Sequence, residues 1–245
     1  MQALVPCEAS VASWKANHAG PMRRILGIAV AAILFTGSIP PPAWAKSEYR
    51  APEITRAGNI KFPVNALRTG IVTLAVNLDA AGNVTRLDVL RDFPPFTSAA
   101  YAAVKTWTFA PATLDGQATS SVLPISVVFN PFNPAGVSNL PSQIPLSPVN
   151  PASNSGYVPP EITSAYFAAY PVNSEASGSV VLNVTIGKTG DLLRVHVIRS
   201  TPALTPQVLQ AIKTWRFLPA TWNGKPVVSR MGVSFVFPSA GSVNY

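Results

Sequence analysis

Cysteine and histidine are scarce in this 245-residue chain, and its ten carboxylates form no paired constellation. It has one cysteine, Cys7, and two histidines, His18 and His196. One thiol excludes an internal disulfide framework and any multi-cysteine zinc site. Two imidazoles exclude a histidine-rich metal site. The carboxylates fall in no paired motif for acid–base work, and neither a glycine-rich phosphate loop nor a Gly-x-Ser-x-Gly elbow is present. The chain therefore reads as a non-enzyme with no cofactor and no metal.

What remains is binding chemistry, from aromatic faces and cations. Lys and Arg number 18 against 10 Asp and Glu, a net charge of +8, but no window holds a basic run. A dedicated nucleic-acid interface is excluded on that ground. With 48% hydrophobic and 11% charged residues the chain folds, and 25 prolines argue against a helical bundle.

The first 45 residues read as a signal peptide rather than part of the working protein. Met22-Arg23-Arg24 is a positive start, Ile25–Ile39 is apolar, and Ala43-Trp44-Ala45 is a small-x-small cleavage signal after Pro40-Pro41-Pro42. The rival reading is a retained inner-membrane anchor over residues 25–39. That run has 15 residues, against the roughly 20 that a stable span needs. Met22 is an alternative start, in which case Cys7 and His18 are never made. The expected mature chain, Lys46–Tyr245, carries 15 Lys and Arg against nine Asp and Glu and no cysteine, and is expected in the periplasm.

The elements that must position any binding group occur twice. Shifted by 108 residues, Pro52–Phe129 aligns with Pro160–Phe237 without a gap and with 31 identities in 78 positions. Gly70-x-Val72-x-Leu74-x-Val76 matches Gly178-x-Val180-x-Leu182-x-Val184, and Lys105-Thr106-Trp107 matches Lys213-Thr214-Trp215. Two copies with this period predict two small self-standing modules, 46–132 and 157–245. The Pro-rich linker 133–156 between them is expected to be extended and unpaired. Asn130–Pro160 around it holds eight prolines in 31 residues and no charge.

Each module reads as strand, strand, helix, strand. In copy two, Val180, Leu182, Val184 and Ile186 alternate with Ser179, Val181, Asn183 and Thr185, and Lys188-Thr189-Gly190 turns the chain into Leu192–Arg199. Thr205-Pro206 predicts an N-cap followed by proline at the first helical position. Leu204, Val208, Ile212 and Trp215 form one helical stripe, as do Phe96, Ala100, Val104 and Trp107 in copy one. The last strands are Ser121–Phe129 and Val227–Phe237. The predicted class is α+β: two tandem two-layer sandwiches joined by the linker.

On this frame Trp107 and Trp215 close apolar stripes and are core residues, whereas Trp222 lies beside the Asn223-Gly224 turn as a surface contact. Arg86 and Arg194, like Arg91 and Arg199, repeat in both copies and are expected to be solvated or paired across strands. His196 falls mid-strand on the solvated face, with Asp88 at its counterpart, and lacks the orienting partner a general base needs.

The paired Gly-x-Val strands, the Gly turn, the helix ending in Trp-x-Phe-x-Pro-Ala and the closing Val-x-Phe strand together resemble the C-terminal domain of the TonB family of periplasmic energy transducers. Copy two is the closer match, at Tyr170-Pro171, Gly178, Gly190, Arg199-Ser200, Leu204, Trp215-Arg216-Phe217, Pro219-Ala220 and Gly224. Copy one departs with Phe62 for the Tyr, Asp92 for the Ser and Thr108 for the Arg. The resemblance implies a protein partner, such as a TonB-dependent outer-membrane receptor, bound by strand addition in energy-coupled transport.

By the same resemblance, the contact positions are Phe167, Ala168, Ala169, Tyr170 and Pro171, with Val227, Val228, Ser229, Arg230, Met231, Gly232 and Val233. Copy two is favoured because it has Gly232 where copy one has Pro124, and Gly232→Pro is expected to weaken binding while sparing the fold. The alternative is an envelope module that grips peptidoglycan through the repeated arginines and exposed aromatics.

Overall fold

The computed structural model describes residues 48–63, 66, 69–130, 143–144, 146, 157–171 and 174–239. The proposed signal segment lies outside the described residues. Copy one runs β1 (Tyr49–Arg50), β2 (Glu53–Arg56), β3 (Gly70–Leu78), β4 (Val84–Arg91), α1 (Phe96–Val104), β5 (Thr108–Ala110), β6 (Ala112–Leu114), β7 (Gln117–Thr119) and β8 (Ser121–Phe129). Copy two repeats it as β9 (Tyr157–Val158), β10 (Glu161–Ser164), β11 (Gly178–Ile186), β12 (Leu192–Arg199), α2 (Thr205–Thr214), β13 (Arg216–Leu218), β14 (Ala220–Trp222), β15 (Lys225–Val227) and β16 (Ser229–Phe237).

The helical stripes are core. Phe96, Ala100 and Val104 are fully buried and Trp107 is 4% exposed; Leu204, Val208 and Ile212 are fully buried and Trp215 is 2% exposed. Gly190 takes a φ of +85° in the turn between β11 and β12, a conformation that favours a residue without a Cβ. The helix start differs from expectation. Thr205 Oγ1 accepts from Thr201 N–H at 3.1 Å and does not cap α2, whose N-cap position is Leu204. The last strand of copy two is also shorter than expected, because the pairing breaks at Val228 and leaves β15 and β16 as separate strands.

The larger difference is between the modules. They are not two self-standing sandwiches but halves of one six-stranded sheet, ordered β12-β11-β16-β8-β3-β4, within a compact unit spanning Lys46–Tyr245. The two closing strands meet in parallel, with Gly232 opposite Ile125 and Val236 opposite Phe129. Every other pairing in this sheet is antiparallel.

Setting two equivalent strands parallel turns one module over relative to the other. Val72, Leu74, Val76, Leu123, Ile125 and Val127 pack with α1, and Val181 and Val236 of copy two join that face. Val180, Leu182, Val184, Met231, Val233 and Phe235 pack with α2, and Ile71 and Val128 of copy one join that face. The helices thus cover opposite faces. Burial on both sides is why Ser179 and Val181 are fully buried and Asn183 is 5% exposed, where alternation alone predicts a solvated face.

The leading segment of copy one crosses to the back of copy two. Ile54 N–H donates to Asn183 Oδ1 at 3.1 Å and Asn183 Nδ2 donates to Ile54 O at 2.9 Å. Ile60 N–H donates to Ser179 Oγ at 3.3 Å, and Ser179 Oγ–H donates to Asn59 Oδ1 at 2.8 Å. Part of the expected linker packs as well. Ile144 is 1% exposed in the α2-side core, and Gln143 bridges to Tyr166. The rest of 133–156, apart from Leu146, lies outside the described residues.

Candidate functional site

The first contact segment implied by the resemblance is taken up by the chain itself. Phe167, Ala168 and Tyr170 are buried in the α2-side core, and Ala169 and Pro171 are half-buried. Asn130 Nδ2 donates to Ala168 O at 3.1 Å, Trp215 Nε1 donates to Tyr166 O at 3.0 Å, and Ile144 N–H donates to Ala165 O at 2.8 Å. Tyr170 meets Phe237 edge-on at 5.7 Å and its hydroxyl donates to Ala176 O.

The second segment is partly closed. Gly232 and Val233 lie between β11 and β8 and are paired on both sides, so an incoming strand there must first displace β8. Gly232→Pro is accordingly not an edge substitution, which corrects the expectation that the fold would tolerate it. Ser229 and Met231 are buried at 1% exposure, and the exposed or half-exposed members are Val227, Val228 and Arg230. The Arg230 charge is spent internally: Nη1 donates to Glu53 Oε2 at 2.6 Å and to Ala51 O at 3.2 Å.

The open edges of the sheet are its two outermost strands, β4 and β12. On β4, Arg86 pairs with Asp88 at 2.8 Å, and Asp88 also accepts from Asn77 Nδ2 at 2.9 Å. At its end Arg91 is 2% exposed and takes the paired alternative of the expectation, with Glu161 of β10 at 3.9 Å. Burial pushes the Arg91 guanidinium below its ordinary pKa, and the Glu161 carboxylate opposes that shift. A cavity of about 150 Å³ beside it is lined by Thr73, Arg91, Ser126, Glu161 and Met231. It is smaller than the roughly 300 Å³ at which small-molecule pockets begin. On β12, Leu193 is 55% exposed, and Arg194 and His196 are exposed on the face that Asn183 and Thr185 share.

Burial is as expected at Trp107 and Trp215, and exposure at Trp222. Trp107 and Trp215 are core, whereas Trp222 is 51% exposed beside Tyr157, with ring centroids 6.5 Å apart. Burial, then the neighbouring Tyr49, pushes the Tyr157 phenol well above its ordinary pKa. No group of three or more metal-ligating side chains occurs among the described residues.

The open edges could not be placed from sequence, because which strands are outermost depends on pairing between the copies. Asn183 and Ser179 were missed too. Their one signal was a polar side chain inside an otherwise apolar strand.

Residues 59–131 and 169–238 match the Gram-negative bacterial TonB protein C-terminal family, and together they make up more than half of the chain. The chain belongs to that family, with two tandem copies of its domain. Domains of this family are non-enzymatic, associated with transport and periplasmic. No curated protein and no solved structure matches the chain. Among the described residues no helix is long and apolar enough to cross a membrane.

Proposed function

We propose that the chain is exported, begins at Lys46 when mature, and binds a protein partner in the periplasm by adding an extended segment to an open sheet edge. By family, the partner is a protein such as a TonB-dependent outer-membrane receptor, and the setting is energy-coupled transport across the outer membrane. The observation that carries this reading is the six-stranded sheet ending in β4 and β12, whose outer backbone groups have no neighbouring strand in the sheet. Unpaired backbone at a sheet edge is a template for an extended peptide. Val227, Val228 and Arg230, at the surface end of the resemblance-implied set, remain a second contact region in the proposal.

The test uses the exported protein. A photo-cross-linker at Val89, Leu193 or Val228, all at least 37% exposed, should capture a partner from the periplasm or outer membrane. The captured chain should have the mass of residues 46–245. An uncleaved chain overturns the start at Lys46 and selects the retained-anchor reading, and no capture from any of the three positions overturns the binding reading.

Exposed Tyr49 and Trp222, with half-buried Tyr157 beside Trp222, favour one other reading, an envelope glycan ligand. Sedimentation with cell-wall sacculi that Trp222→Ala abolishes would select it.

A further inference from the structure

The two open edges are built from equivalent positions, yet their charges are handled oppositely. Arg86, Asp88 and Arg91 of β4 stand where Arg194, His196 and Arg199 stand on β12. On β4 every arginine has an acid: Arg86 has Asp88 at 2.8 Å and Arg91 has Glu161 at 3.9 Å. On β12 neither arginine has one among the described residues. At the Asp88 position β12 carries His196, so Arg194 loses its neighbour.

The acid equivalent to Glu161 is Glu53, but Arg230 captures it at 2.6 Å, and copy one has Val122 where Arg230 stands. Arg199 is left with a buried Nε that has no hydrogen-bond partner among the described residues. One outer strand is therefore neutralised within the fold and the other is a cationic edge.

We infer that β12 is the partner edge, and that it takes an extended peptide carrying acidic side chains at alternate positions. This rests on the strand-addition reading above and adds to it which edge is used and the chemistry of the partner. Arg194 and His196 are two residues apart and so project from the same face of the strand. A strand laid beside β12 places its own i and i+2 side chains opposite them, with Cβ atoms about 5 Å apart. An acid at each position supplies the charge that Asp88 supplies on β4. The other face of the edge offers Val195 and Val197, which are half-buried against the α2-side core. Apolar residues between the acids complete the match. A basic or neutral peptide would leave the cations unpaired, and an acidic one would meet a self-neutralised surface on β4.

The experiment compares two synthetic peptides against the mature protein, matched to the eight residues of β12. One alternates Val with Glu and the other alternates Val with Lys. Fluorescence anisotropy at low salt should show the Glu peptide binding at least about tenfold more tightly, a preference that shrinks as salt rises. His196→Asp rebuilds the Arg86–Asp88 arrangement on β12 and should abolish the preference with the thermal midpoint kept, since β4 shows that such a strand folds. Arg194→Gln serves as a second variant and should also reduce it. Equal binding of the two peptides, or a preference that survives both variants, overturns the inference while strand addition stands. Binding of neither peptide overturns strand addition at this edge and the inference with it.

Discussion

Asn183→Ala removes the side chain that ties copy one to the back of copy two without disturbing the sheet that carries it. Copy one has Ala75 at the equivalent position, buried in β3, so alanine suits the strand itself. What is lost is the pair of bonds to Ile54, at 3.1 and 2.9 Å, across 129 residues of sequence. The Ile54 N–H and C=O are then left without partners in a buried site. Each such group costs about 1–3 kcal/mol, so the variant should lose about 2–6 kcal/mol.

With a urea slope of about 2–3 kcal/mol/M, the midpoint should fall by about 1–3 M. Equilibrium unfolding followed by tryptophan fluorescence and far-UV circular dichroism measures this. Wild type and variant should each show one transition, because the two halves share a sheet and cannot unfold separately. A loss under about 0.5 kcal/mol, typical of a surface change, would refute the tie. Two resolved transitions would refute the shared sheet.

Gly232→Ala should cost about 1–3 kcal/mol by overpacking. A methyl there meets Ile54 Cδ1 at 2.6 Å and Ile125 Cγ1 at 3.1 Å. Adding Ile54→Val, which deletes that Cδ1, should recover part of the loss in the same denaturation assay. At alkaline pH the tyrosines set the limit. Burial raises the phenol pKa values of Tyr49, Tyr157 and Tyr170 above 10.0, so the folded chain holds these protons more tightly than the unfolded one. That stability is fully present below pH 10.0 and is lost as pH climbs toward the folded values. Thermal midpoints should therefore fall above this pH, and Tyr157→Phe should make the fall shallower. An unchanged slope in that variant would count against its burial.

Local periodicity determined much of this protein. The stripes ending at Trp107 and Trp215, the turn at Gly190 and the strand Ser121–Phe129 follow from spacings of a few residues, and the structure has them where those spacings put them. The repeated motifs also sufficed to place both copies in their family.

Which strands pair between copies was decided only in three dimensions. Ile125 meets Gly232 because two apolar closing strands bury more together than apart, and no local period encodes a partner so far along the chain. Two signals pointed that way. Val127-Val128-Phe129 and Phe235-Val236-Phe237 are continuous apolar runs, the mark of strands covered on both faces. Gly232 inside a strand marks a close approach of neighbouring atoms.

The placement of the site follows from the same fact. Pairing β8 with β16 closes the inner edges and makes β4 and β12 outermost. Sequence supplied His196 in place of Asp88 and Arg230 in place of Val122. Only the crossing of β2 behind β11 brings Glu53 to Arg230 and so leaves β12 positively charged.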